Sequence, residues 1–191
     1  ANFTPLPPEY LLALPSPSVG KRIALNLYEL LVLLGVGAFT FLLPHLVVGV
    51  VWHVTAPSWF LFAHLYLAFA FYFDWYWTRT GQTLAMQTWR VQVINVQGRI
   101  LTRPEALFRY AMASLWIFPA AIVLYITTHL WGAENTGTLL SIVFFSMTLF
   151  LWPVTALLDR PQKRSWVDRL SKTRLVQLPR LIPHPISGGE K

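Results

Sequence analysis

Glu29 and Asp74 are the residues whose surroundings point most directly to chemistry. They bracket 44 residues that contain no Asp, Glu, Lys or Arg. A carboxylate at the edge of such a stretch is costly unless it is paired, protonated or facing water. Glu29 follows Arg22 by seven positions, which is two helical turns, so both share one helix face. It lies roughly 10 Å deeper than Arg22. Asp74 precedes Arg79 by five positions and reaches a comparable depth. Arg109 opens a later apolar run, Asp159 closes the last one, and Asp168 follows shortly after. Together these charges form either an ion or proton site built on Glu29 and Asp74, or an ion-pair network that pins helix ends together. Both readings stay open.

His45, His64 and His129 offer a second constellation. On the spans drawn below, His45 and His64 have matching depths, and His129 lies near the same face. Two facing histidines could ligate haem and three could hold a metal. No close His spacing supports this, and hydrogen bonding between helices is the simpler use, so no cofactor is expected. The chain has 0 Cys, so it has no disulfide framework and no thiolate chemistry. No HExxH, GxSxG or phosphate-cradling glycine loop is present, and an enzyme is not expected.

These residues must be positioned by membrane helices. The 191 residues are 55% hydrophobic and 12% charged, with mean hydropathy +0.50. Residues 110–133 and 135–158 are further runs free of Asp, Glu, Lys and Arg. A spanning helix needs about 20 apolar residues. Soluble enzymes, disordered chains and simple nucleic-acid binders are thereby excluded. Four spans are predicted, over residues 23–52, 58–78, 105–131 and 138–158, with Pro44 kinking the first. Residues 90–96 alternate partially and Gln97-Gly98 supplies a turn, which predicts a short β-hairpin between the second and third spans.

Residues 1–20 hold five prolines and no Lys or Arg. They read as an extended cytoplasmic tail rather than a signal peptide. Residues 21–177 form the four-helix domain and 178–191 a flexible tail. The fold class is therefore an all-α membrane protein. The net charge of +7 is segregated: the turns after the first and third spans carry no Lys or Arg. The positive-inside rule then places both termini and the middle loop in the cytoplasm. The basic residues there suit anionic lipid contact, and no folded basic domain remains for nucleic acid.

Several motifs carry a family resemblance. The run from Lys21-Arg22 to Tyr28-Glu29 resembles the opening of the RDD family of bacterial membrane proteins. Gly81-Gln82-Thr83-Leu84-Ala85 resembles that family's Gly-Gln-Thr-Leu-Gly stretch, and Trp89-Arg90-Val91-Gln92-Val93 with Gly98 the loop that follows. Leu158-Asp159-Arg160 and Trp166-Val167-Asp168-Arg169 resemble the closing aspartate motif. The resemblance covers residues 20–177. It implies that Arg22 is the name-giving arginine and Asp168 the second aspartate, with Glu29 in place of the first and Ala85 in place of a glycine. It also implies a bacterial inner-membrane location. Members have been proposed as transporters, sodium/proton antiporters among them, or as partners in larger membrane assemblies.

Two functions follow. One is an accessory or scaffold subunit that binds another membrane protein or a second copy of itself, supported by small size and a surplus of aromatic residues. The other is a proton-coupled cation transporter using Glu29 with Asp74 and Arg22.

Overall fold

The computed structural model describes residues 6–115, 118–132, 134–155 and 164–180. Helices dominate. In chain order they are α1 (Pro8–Ala13), α2 (Val19–Gly37), α3 (Leu43–Trp52), α4 (Ser58–Arg79), α5 (Leu84–Trp89), α6 (Arg103–Ser114), α7 (Phe118–Tyr125), α8 (Glu134–Val154) and α9 (Trp166–Leu170). Two strands, β1 (Val91–Asn95) and β2 (Thr173–Gln177), and two π-helical turns, Ala38–Leu42 and Ile126–Leu130, complete the described elements.

Ser18 starts α2 by accepting a hydrogen bond from the Lys21 backbone N–H. From there α2 and α3 run as one 34-residue helix, Val19–Trp52, with a mean hydropathy of 2.3 over its 18-residue apolar stretch. At 1.5 Å per residue this is roughly 50 Å, well beyond a ~30 Å hydrocarbon core. The helix is therefore longer than a single crossing requires. Pro44 stands within this helix, just after a change in its winding. The strain is taken up one turn earlier, in a π-helical turn over Ala38–Leu42. Proline cannot donate and its ring crowds the carbonyl four residues back. Widening the preceding turn, with Leu43 N–H bonded to the Ala38 carbonyl, relieves that crowding.

Among the described residues, Val19–Trp52 is the one helix that by itself is long and apolar enough to cross a membrane. Arg103–Ser114 and Pro119–Leu130 meet the same measure jointly but are bent by 44°. Where the sequence predicts one continuous third span, the described residues form two helices set at this angle. α4 has the length, with Asp74, Arg79 and several Tyr and Trp residues reducing its apolarity.

The predicted hairpin is corrected. β1 pairs antiparallel with β2, from Val91 opposite Gln177 to Asn95 opposite Thr173. The turn after β1 does form, since Asn95 Oδ1 accepts from the N–H groups of Gln97 and Arg99 at 3.0 Å each. A returning strand has no room, however. Thr102 already caps α6 in a capping box with Glu105, and Pro104 lacks a donor. The distant segment takes the vacant edge instead.

All of β1 is buried. One side, Val91 and Val93 with Leu175, joins a core with Leu25, Trp77, Met86, Ala106 and Tyr110. The other side, Ile94 with Val176 and Leu178, is covered by Leu11 of α1. The proline-rich N-terminal segment is therefore not a loose tail over its described part. Pro8 opens α1, where its missing N–H costs nothing. Arg174 closes it, donating to the carbonyls of Leu12 at 3.0 Å and Leu14 at 2.8 Å. Burying Leu11 contributes roughly 1.5–3 kcal/mol. Leu178 is buried as well and donates to the Arg90 carbonyl at 2.8 Å. These elements form a cap on the ends of α2, α4 and α6.

Candidate functional site

The centre of the cap is Asp168, which has no solvent exposure. Ser165 and Asp168 bracket the first turn of α9 as a capping box, each side chain bonding the other's backbone N–H. That local signal fixes the carboxylate where two arginines reach it. Arg22 Nη1, from α2, lies 2.9 Å from Oδ2. Arg109 Nη1, from α6, lies 2.6 Å from Oδ1. The same Arg109 nitrogen donates to Thr173 Oγ1 of β2, and its guanidinium sits 5.3 Å from the centre of the Trp77 ring. Both arginines are buried. Burial alone would raise the Asp168 carboxyl; the charges of Arg109 and Arg22, with their hydrogen bonds, override it and hold the group below the usual carboxylate range. Four elements (α2, α6, α9 and β2) are thus tied through one carboxylate.

Glu29 belongs to a different cluster. Its Oε1 accepts from the Tyr72 hydroxyl at 2.9 Å and its Oε2 from the Thr83 hydroxyl at 2.5 Å. No ion pair reaches Glu29 among the described residues. Thr83 is fully buried and also caps α5, accepting from Met86 N–H at 3.2 Å. The neighbouring motif residues hold this loop to β1. Gly81 adopts a φ of +69°, and a Cβ there would lie 2.9 Å from the Val93 carbonyl oxygen. Gln82 Nε2 donates to the Val91 carbonyl at 2.8 Å. Ala85 sits inside α5, a helical position that does not require glycine's freedom.

Asp74 does not join Glu29. Tyr72 and Asp74 are two positions apart on α4, about 200° around the helix. While Tyr72 faces Glu29, Asp74 Oδ2 lies 4.0 Å from Arg103 Nε at the start of α6. The Glu29/Asp74 pair expected from depth is therefore two separate sites. Asp159 lies outside the described residues.

The histidines divide similarly. His45 Nε2 and His64 Nδ1 are 2.8 Å apart, as their matched depths implied. His129 is elsewhere, stacked on Tyr125 and bonded to Thr128. The three-histidine constellation is not formed.

Sequence reasoning missed the hydroxyl partners Tyr72 and Thr173 and the cap role of Ser165. The Ser165-x-x-Asp168 spacing was a legible capping signal. Tyr72 carried none, because an aromatic residue among aromatics on an apolar helix is unmarked.

These features coincide with the motifs of one family. The RDD family model matches residues 16–172, from just ahead of α2 to just ahead of β2. No curated protein and no solved structure matches the chain. The match takes in both arginines, Glu29, the Gly81-Gln82-Thr83 loop and Asp168, and the chain belongs to the RDD family of membrane proteins.

Proposed function

We propose that this RDD family protein is an accessory subunit of the bacterial inner membrane that binds another membrane protein. It crosses the membrane four times with both termini in the cytoplasm, and its basic cap lies against anionic lipid headgroups. The observation that carries this reading is the closed Arg22–Asp168–Arg109 cluster. The most strongly buried charges are committed to fastening the cap onto the helix ends. What the fold offers outward is a rigid cap and broad aromatic helix faces, including Phe62 and Phe71 of α4.

Purification from native membranes in mild detergent tests this. A second membrane protein should co-elute at fixed stoichiometry. If the chain elutes alone, with or without crosslinking, the accessory role is lost. Orientation is checked separately, since the chain has no cysteine of its own. A cysteine placed at Arg99 should be labelled by an impermeant maleimide only from the cytoplasmic side, and one at Asn135 only from the opposite side.

A second reading has its own support. Among the described residues Glu29 meets two hydroxyl donors and no cation, an arrangement suited to a carboxyl that exchanges a proton or a monovalent cation. In proteoliposomes, a proton-coupled cation transporter would carry flux that Glu29→Gln abolishes. Flux that is absent, or unchanged in Glu29→Gln, removes this reading.

A further inference from the structure

Two imidazoles meet between α3 and α4, at the end of the first helical pair remote from the cap. His45 Nε2 and His64 Nδ1 share one proton across 2.8 Å, one ring donating and the other accepting. The rings meet edge-on, with centroids 5.0 Å apart and planes at 65°. Two phenylalanines wall the pair. The Phe41 ring lies 5.0 Å from His45 and 5.6 Å from His64. The Phe60 ring lies 6.1 Å and 6.3 Å away. Phe41 stands in the π-helical turn, so the backbone irregularity ahead of Pro44 also builds one wall of this box. Small polar side chains supply an ordinary interhelical hydrogen bond. Two imidazoles add something small polar groups lack: two nitrogen lone pairs able to point at one spot.

We propose that His45 and His64 form a two-coordinate site for a monovalent d10 cation, copper(I) or its redox-inert counterpart silver(I). On binding, the bridging proton moves to the outer nitrogen of its own ring. Both facing nitrogens then present lone pairs, and the cation takes the proton's place. The only charge added is the ion's own, and no electron is transferred. Imidazole is a ligand that copper accepts readily.

Zinc fits less well. It takes three or four protein ligands, and the described residues contain no group of three or more His, Cys, Asp or Glu. Divalent charge is also penalised more steeply by apolar walls, because the desolvation cost grows with the square of the charge. Between two phenylalanine rings a monovalent charge is the smaller burden. A metal–imidazole bond of about 2 Å sets the nitrogens roughly 4 Å apart, so the pair must open by about 1 Å. Both rings are only half-buried, which leaves them room to do so.

The test uses the full chain in detergent. With 0 Cys there is no thiolate to compete for the ion. The protein is equilibrated with silver(I) and desalted, and separately titrated with copper(I) under ascorbate against bicinchoninate. Wild type should retain one equivalent. His45→Ala and His64→Ala should each fall to background, while His53→Ala and His129→Ala should keep it. His45→Asn guards against misfolding, since its amide can still bond across the helices but does not ligate the ion; this folded variant should lose the metal. X-ray absorption of the copper form should give a first shell of two nitrogens. Retention equal to that of His45→Asn, retention surviving both alanine variants, or a sulfur shell from the 3 Met would overturn the proposal.

Discussion

Arg22 and Asp168 are 146 positions apart in the chain, yet their side chains meet at 2.9 Å with almost no contact with solvent. Arg109 takes the other oxygen of the same carboxylate at 2.6 Å. Two buried cations thus share one anion, and the Trp77 ring and Thr173 hydroxyl meet the charge left over on Arg109. The cap depends on Asp168 more than on either arginine.

Asp168→Asn should therefore be severe. It takes from both buried guanidinium groups the carboxylate they share, and breaking a buried pair from one side costs about 3–5 kcal/mol. Thermal unfolding in detergent, followed by near-UV circular dichroism, should show a large fall in midpoint. A change of under about 1 kcal/mol would mean that the arginines relax to water and that the cluster does not hold the cap.

The same carboxylate sets an acid limit. Its folded value is held below the usual carboxylate range, whereas in the unfolded chain it titrates near 4. A depressed folded value means the unfolded state takes up the proton first. The contribution of Asp168 is therefore complete above about pH 4 and declines as pH falls towards the folded value. Hydrogen exchange of the cap amides against pH should show protection falling in that acid window, and Asp168→Asn should flatten it.

Gly98 governs the docking of α1. It has a φ of +77°, and a Cβ there would lie 2.6 Å from the Pro8 carbonyl oxygen. Gly98→Ala should raise hydrogen exchange across Pro8–Ala13 while leaving the membrane helices unchanged. A strained left-handed alanine together with the lost contact should cost about 1–3 kcal/mol. Unaltered exchange in α1 would show that the segment docks independently of this turn.

Gly137 plays a comparable part at the opposite end. A Cβ there would run into the Thr127 side chain, which is itself 2% exposed. Gly137→Ala should loosen the packing of α8 on the turn after α7 and lower the unfolding midpoint. Adding Thr127→Ala should recover much of that loss, because the two changes act on one contact and cannot be additive.

Much of this arrangement could be read from residue order, and the failures have physical causes. Charge rarity marked Arg22, Glu29, Asp74, Arg109 and Asp168 before any geometry was known. Depth counting paired His45 with His64 correctly, because rise per residue is a reliable ruler along a helix. The same ruler misjudged Glu29 and Asp74, since equal depth says nothing about which way a side chain points around the axis. β1 was legible as a strand from its alternation, but its partner was not. Pairing depends on which exposed edge arrives, and the turn at Gln97-Gly98 offered a nearer candidate that α6 displaces. The prolines ahead of α2 looked like a tail because proline breaks long helices, yet Pro8 begins a short one.

The antiparallel pairing of β1 with β2 has a consequence for how the protein is made. Val91 cannot meet Gln177 until the intervening chain has left the ribosome. At the usual pace of synthesis, roughly 5–20 residues per second, this leaves β1 without its partner, and Arg22 and Arg109 without Asp168, for several seconds. Completion of the cap is thus a record that synthesis has passed β2. Nascent chains stalled before residue 165 should be open to brief proteolysis between residues 82 and 103, and released full-length chains should resist it.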